Sequence, residues 1–233
     1  MSEIQYRSEM TVKLIQSMAS DSAVTMAARV STGASSTEDV TKEAGLINYL
    51  MRDRHGSPFE HNAFTFYIEA PIFVFREFQR HRIASYNEES ARYKELEPVF
   101  YIPSLNRKLV QTGKPGSYSF EPGELHQHVQ VMKSTSRATV SSYNNYKHML
   151  NCGIAREVAR GVLPVNTYST MYVTMNARSL MNFLSLRTSR EGTHFPSFPQ
   201  REIEMVAEQM EEFFAEKMPL TYEAFNKNGR VAP

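Results

Sequence analysis

Tryptophan is absent from this chain of 233 residues, and cysteine occurs once, as Cys152. One cysteine excludes an intramolecular disulfide and a cysteine zinc cage, and it fits a reducing, cytoplasmic setting. Charge of one sign is lacking as well. The 26 Lys and Arg residues face 25 Asp and Glu residues, a net charge of +1, which argues against a protein that holds polyanions by bulk charge. The first ten residues contain no apolar signal core. The densest apolar stretch, Phe64–Phe78, is broken by Glu69, Pro71, Arg76 and Glu77, so nothing reads as a bilayer span. Internal repeats and low-complexity tracts are also missing. What remains is a chain whose hydrophobic fraction, 41%, is enough to close a sizeable core.

Local signals divide that core among helices and strands. Val12–Ile15 is a short apolar strand. Ser20, Asp21 and Ser22 offer caps for a helix through Arg29. Thr32–Ser36 is a polar loop, and Ser36 or Thr37 can cap a second helix, with Glu38 and Asp39 suiting its positive end. That helix should stop near His55-Gly56. Asn62–Glu69 alternates and is aromatic, hence a strand. Pro71 opens a helix expected to run from Ile72 to about Arg82. Val99–Ile102 is another strand, and Ser104–Gly123, with its Gly and Pro residues, reads as the longest exposed loop. Helices follow over Glu124–Leu150 and Ala155–Val162, a strand over Thr167–Thr174, and helices over Asn176–Arg187 and Gln200–Met218, the last amphipathic. The pattern predicts an α+β fold, a mostly antiparallel sheet flanked by helices, in a single domain over residues 1–233.

Arg80-His81-Arg82-Ile83-Ala84-Ser85-Tyr86-Asn87-Glu88-Glu89-Ser90-Ala91-Arg92 is the unusual stretch. One reading is a helix end, where cations are favoured by the macrodipole, followed by a solvated loop. The other is chemical. Arg80, Arg82 and Arg92 can grip phosphates through paired N–H donors, and Asn87, Glu88 and Ser90 can read a base or sugar. Arg80-His81-Arg82 followed after seven residues by Ser90 resembles the signature of the flavin-dependent thymidylate synthases. Three more blocks resemble the same family in the same order: His55–His61, Ala155–Pro164 and Asn176–Arg187. Four ordered blocks carry far more weight than the triplet alone.

The resemblance implies an enzyme that makes thymidylate from deoxyuridine monophosphate (dUMP). The one-carbon unit would come from methylenetetrahydrofolate, and the hydride from FAD reduced by NADPH. It also implies a homotetramer with sites shared between subunits. No cysteine nucleophile is needed, and Cys152 lies outside every block. Arg187 matches the arginine that stabilises the anion formed at ring nitrogen three of the uracil, a task suited to a group that never loses its charge. Asn176 and Arg187 stand eleven residues apart, about 1100° of helical turn and roughly 16 Å, so one helix can touch the flavin near its start and the base near its end. Arg80, His81, Arg82, Asn176, Arg178 and Asn182 match flavin contacts. Ser31 and Ser57 match further ones, or serve turns and caps. Glu77, Arg80, Glu88, Ser90, Arg92, Arg160 and Arg187 match nucleotide-binding positions, Glu88 also lying among the flavin contacts. His55 matches a histidine near the flavin ring, where it organises the site or the folate end.

Three departures stand out. Glu77 occupies a position where the family pattern has Gln or a similar residue. Thr188–Gln200 is several residues longer than the usual link, and Gly113–Gly123 aligns with nothing. Ser90 lacks a Gly-x-Ser-x-Gly elbow, so it reads as a phosphate donor rather than a nucleophile. Two other functions compete. A nucleic-acid-binding module built on Arg80–Arg92 is opposed by the balanced charge and the absence of a recognised binding motif. A metal site at His55 and His61 lacks a third ligand at suitable spacing. Neither nucleic acid, membrane nor metal is expected as a partner.

Overall fold

Alternation along Ala63–Pro71 sets the frame of the fold. A computed structural model describes residues 3–33, 39–114 and 117–233. In chain order the strands are β1 (Gln5–Arg7), β2 (Thr11–Met18), β3 (Ala63–Pro71), β4 (Ser85–Glu88), β5 (Val99–Tyr101), β6 (Lys108–Lys114), β7 (Ser117–Pro122) and β8 (Tyr168–Met175). The helices are α1 (Asp21–Arg29), α2 (Val40–Arg52), α3 (Ile72–Phe78), α4 (Leu125–Asn151), α5 (Arg156–Ala159), α6 (Ala177–Arg187), α7 (Arg201–Lys217) and α8 (Pro219–Lys227). Helices and an antiparallel sheet are mixed, as the sequence pattern implies. One pairing departs from that pattern: β1 lies parallel to β5.

The described residues fall into two compact units, each assembled from separate pieces of chain. One comes from residues 1–9, 69–77 and 88–171, the other from 10–68, 78–87 and 172–233. In the second, Phe64, Phe66 and Ile68 are fully buried along one face of β3, the period of two that a strand requires. The four-stranded sheet has the order β2-β3-β8-β4. The hydroxyls of Thr65 and Thr174 meet at 2.9 Å, and the rings of Tyr67 and Tyr172 at 5.7 Å. Two steps up β3 are two steps down β8, the register of an antiparallel pair. Phe214 of α7 stands edge-on to Phe64 at 6.1 Å, and Phe225 of α8 packs edge-on to Phe214 at 6.4 Å.

In the first unit the core is aromatic and smaller. Phe100, Tyr143, Tyr146 and Ala159 are buried together, with Ile4, Met149, Leu150 and Leu163 around them. α4 starts with a capping box: Glu124 N–H donates to the Gln127 side chain at 2.8 Å while the Glu124 side chain receives the reciprocal bond. The segment expected as a long loop is instead the β6–β7 hairpin, antiparallel with Thr112 opposite Ser119. Gly113, near the end of β6, takes φ +89°, and the residues of the two strands pair up, Gln111 opposite Phe120 and Gly113 opposite Tyr118.

Several boundaries differ from expectation for identifiable reasons. Asp39, not Ser36 or Thr37, caps α2, accepting from Thr41 N–H at 3.0 Å and Lys42 N–H at 3.3 Å. Ser36 and Thr37 lie outside the described residues, as does part of the Thr32–Ser36 loop. α2 ends where Arg54 takes a left-handed φ of 63° and His55 N–H reaches the Leu50 carbonyl at 2.9 Å, a left-handed helix stop. α3 ends at Phe78 rather than Arg82. β1, β4 and α8 are additional elements. Among the described residues no helix is long and apolar enough to cross a membrane.

α8 has no capping side chain of its own. Buried Asp21 supplies one from α1, accepting from Leu220 N–H and Thr221 N–H at 2.9 Å each and from the Thr221 hydroxyl at 2.6 Å. Asp21→Ala strands three donors in the interior. We expect a loss of about 2–4 kcal/mol, as for removal of a charged acceptor from buried donors. Urea unfolding measures it, and an unchanged midpoint would rule out this capping role.

Candidate active site

α6 delivers the residues around which the site is built. Its N-cap is Asn176, whose side chain accepts from Ser179 N–H at 2.8 Å. Its last residue is Arg187, half-buried. Phe183 and Arg187 stand one turn apart on the same face, and both meet His81. The Arg187 Nε–H donates to His81 Nε2 at 3.1 Å, and the Phe183 ring meets the imidazole edge-on at 4.9 Å. Phe183 also stacks on Phe78 at 4.7 Å.

That hydrogen bond assigns the imidazole. An Nε2 that accepts carries a lone pair, so the ring is neutral with its proton on Nδ1. Burial disfavours the imidazolium and the Arg187 charge adds to the effect, lowering the His81 pKa to about 4. The turn holding His81 is fastened from behind. The Tyr86 hydroxyl reaches the carbonyls of His81 at 2.6 Å and Phe78 at 2.9 Å. These carbonyls would otherwise serve a longer α3, which accounts for the early end of that helix. Burial pushes the Tyr86 phenol up to about 12, so it remains a donor.

Arg80 and Arg82 project from this turn. Both are exposed, and among the described residues neither has a carboxylate partner. Other positions matched to flavin contacts are in the same unit but engaged locally. Arg178 donates from Nε to the Pro233 carbonyl and from Nη1 to Glu60, each at 2.5 Å. A Cβ on Gly56 would stand 2.6 Å from the Arg178 Cζ, so only glycine fits under this guanidinium. Asn182 donates to the Arg178 carbonyl at 3.2 Å. Ser31 is exposed and its hydroxyl donates to the Ala28 carbonyl at 2.9 Å. Ser57 is exposed beside Gly56. His55 is exposed, its ring edge-on to Tyr49 at 5.4 Å.

Glu77, Glu88, Ser90, Arg92 and Arg160 belong to the other unit. Glu77 is half-buried on α3. Lost hydration around the Glu88 carboxyl raises its pKa even though much of the residue faces solvent; a bond with Ser169 opposes this and the Glu89 charge adds to it. Ser90 forms a turn: its hydroxyl accepts from Arg92 N–H at 3.3 Å, and its carbonyl accepts from Tyr93 N–H at 3.0 Å. Glu89 anchors that turn to Thr170, its N–H donating to the Thr170 carbonyl at 2.9 Å, and its carboxylate meets Lys94 at 2.6 Å. Arg92 Nε lies 3.3 Å from the Glu157 carboxylate of α5, in the block that also holds exposed Arg160.

Tyr86, Glu89 and Lys94 were not singled out by sequence reasoning. Tyr86 and Glu89 sit inside the signature, yet nothing local marks their partners. A cavity of about 210 Å³ beside this turn is lined by Arg7, Glu69, Glu89 and Lys94 among others. Its charges pair internally, Arg7 with Glu69 at 3.0 Å and Lys94 with Glu89 at 2.6 Å. Among the described residues no group of three His, Cys, Asp or Glu side chains is placed to hold a metal ion.

A turn bearing two uncompensated arginines, with a third arginine held by a neutral imidazole, has the chemistry to receive anionic, planar ligands. Comparison with known proteins makes this specific. The family model for thymidylate synthase complementing protein matches residues 13–220. A flavin-dependent thymidylate synthase of Streptomyces coelicolor is 59% identical over 237 residues, covering 99% of this chain and 96% of the relative. One from Thermotoga neapolitana is 45% identical over 216 residues, covering 93% and 90%. The solved structure of the UMP/dUMP methylase PolB of Streptomyces cacaoi with 5-Br dUMP superposes with a TM-score of 0.94 at 54% identity, covering 99% of this chain and 100% of that one. The same methylase with 5-Br UMP gives 0.92 at 55% identity, covering 99% of both. This chain belongs to the flavin-dependent thymidylate synthase family, and it is an enzyme.

The neutral state of His81 has a pH signature. Unfolded, the ring titrates near 6.5; folded, near 4. Between these values the unfolded chain binds a proton that the folded chain refuses, so stability falls as pH falls through the window. The slope from one ring has a ceiling of about 1.4 kcal/mol per pH unit, reduced here by solvent at a half-buried site. We expect His81→Gln to lose less stability than the native protein on going from about pH 7 to about pH 5. Urea midpoints at both pH values measure this, and parallel losses would contradict it.

Proposed function

We propose that this chain converts dUMP to thymidylate, with methylenetetrahydrofolate giving the one-carbon unit and NADPH reducing a bound FAD. The whole chain, residues 1–233, acts as one catalytic domain within a homotetramer whose sites are shared between subunits. The observation that carries this reading is the Arg187–His81 pair, in a member of this family. It sets a permanent cation at a half-buried position beside a base that does not compete for its proton.

The donor set fits FAD. Arg80 and Arg82 are exposed cations on a fastened turn, without carboxylate partners among the described residues, and such groups suit a pyrophosphate. Asn176, Arg178, Asn182, Ser31 and Ser57 add amide, guanidinium and hydroxyl groups to its binding. When bound, the flavin supplies the hydride. His55 organises the flavin ring or the folate end.

The residues of the chain act on the nucleotide as follows. Ser90, Arg92 and Arg160 hold its phosphate, with Arg80 shared between nucleotide and flavin. Glu88 and Glu77 accept hydrogen bonds from base or sugar, and burial raises the pKa of Glu88. Arg187 stabilises negative charge at ring nitrogen three, which makes carbon five more nucleophilic. His81 holds that guanidinium in place. Because it stays neutral, it adds no second positive charge to compete for the same anion.

A second reading, methylation of the ribonucleotide UMP, is favoured by the similarity to PolB, a UMP/dUMP methylase solved with 5-Br UMP and with 5-Br dUMP. Tritium release from dUMP and from UMP, each labelled at carbon five, separates the two with FAD, NADPH and methylenetetrahydrofolate present. Faster release from dUMP is expected. Arg187→Ala should lose turnover by on the order of a hundredfold to a thousandfold, as for removal of an oxyanion donor, while keeping its flavin. Faster release from UMP would replace the first reading with the second, and full turnover in Arg187→Ala would remove the role given to that residue.

A further inference from the structure

We infer that Thr188, Arg230 and Glu211 form a positioning device for Arg187, a role that rests on the proposed function of that arginine. Thr188, the next residue in the chain, is fully buried. Its hydroxyl donates to the Leu184 carbonyl at 2.7 Å, where its own N–H also bonds at 3.0 Å, and so closes the last turn of α6. The same hydroxyl accepts from Arg230 Nη2 at 3.0 Å. Its carbonyl accepts from the Ser197 hydroxyl at 2.5 Å. Thr188, the residue joined to Arg187, is thus held at its N–H, its carbonyl and its side chain.

The holder is itself ionic and buried. Arg230 is 4% exposed and Glu211 5%. Arg230 Nη2 lies 2.7 Å from one Glu211 oxygen, and Arg190 lies 2.8 Å from the other. The Tyr222 hydroxyl donates to Glu211 at 3.2 Å, Arg230 Nη1 bonds the Asn226 side chain, and the guanidinium sits 4.8 Å from the Phe225 ring. Arg230 also adopts a left-handed φ of 57°, costly for a residue with a side chain.

A buried ion pair is a poor way to gain stability, because the desolvation of two charges offsets their attraction and well-packed apolar residues do as well. What an ion network adds is direction. Here the direction ends on the Thr188 hydroxyl, one residue from the guanidinium that His81 receives. Helix ends otherwise leave their last carbonyls unsatisfied and fray. A frayed last turn would let Arg187 drift from His81, and shifts of this size at a catalytic group are felt in rate. Thr188 makes no claim to contact the nucleotide; it acts through Arg187.

The test is Thr188→Val in the intact, flavin-loaded protein. Valine keeps the volume and deletes the hydroxyl. Equilibrium dialysis with labelled dUMP, without folate or reductant, reads binding, and tritium release reads turnover. We expect dUMP affinity to fall at least about fivefold and kcat to fall with it, a coupling typical of groups sharing one network. Flavin content should stay near native, and Thr188→Ser should restore both readouts. In an Arg187→Ala background the same Thr188→Val change should alter affinity by less than about twofold. Thr188→Ala carries the same expectations if the valine variant does not fold. Native-like binding and turnover in Thr188→Val, or an equal loss in the Arg187→Ala background, would overturn this inference alone. Failure of the native protein to bind dUMP would overturn the proposed function and this inference with it.

Discussion

A permanent cation beside a base that must remain unprotonated is the constraint on which the site depends. Arg187 cannot titrate, so the partner adjusts: His81 keeps its lone pair, and its pKa drops to about 4. Burial supplies most of this shift and the neighbouring guanidinium the rest. Other features follow from keeping the ring in place. Phe183, one helical turn from Arg187, covers the imidazole edge-on. Tyr86 captures two carbonyls of the turn and stops α3 short. The exposed arginines of the signature therefore project from backbone that is fastened on one side by a hydroxyl and on the other by aromatic packing.

Charge is balanced over the whole chain but not within it. Several described cations are paired: Arg7 with Glu69, Lys94 with Glu89, Arg178 with Glu60, Arg190 and Arg230 with Glu211. Arg80, Arg82 and Arg160 have no such partner among the described residues. Uncompensated cations clustered on one turn draw anions to that place rather than to the protein at large. The near-zero net charge is thus compatible with the anion-binding role proposed for these arginines, since the net charge sums over the chain and not over any one place.

Two kinds of arginine role were hard to separate in advance. Arg178 lies in a matched block, yet its donors meet Glu60 and the Pro233 carbonyl under a glycine that leaves room for nothing larger. Arg230 lies in no block, yet it is the most buried arginine of the network behind α6. Long-range pairing decides both, and a linear sequence records the charge of each residue without its partner.

The sequence by itself determined the periodic elements and the chemistry-bearing blocks. Period two over β3, the helical spacing of α7 and the cap at Ser20 are local signals, and local energetics obeys them. The blocks were legible because order and spacing along the chain survive folding unchanged. Only the tertiary structure decided the rest. The β6–β7 strands needed each other's backbone donors to be strands at all, and β1 needed β5. α8 begins where it does because Asp21, some two hundred residues earlier, accepts its first amides. The neutrality of His81 and the anchoring of Thr188 arise from groups brought together by packing, since burial and proximity, which set hydrogen bonding and proton affinity, exist only once the chain has closed on itself.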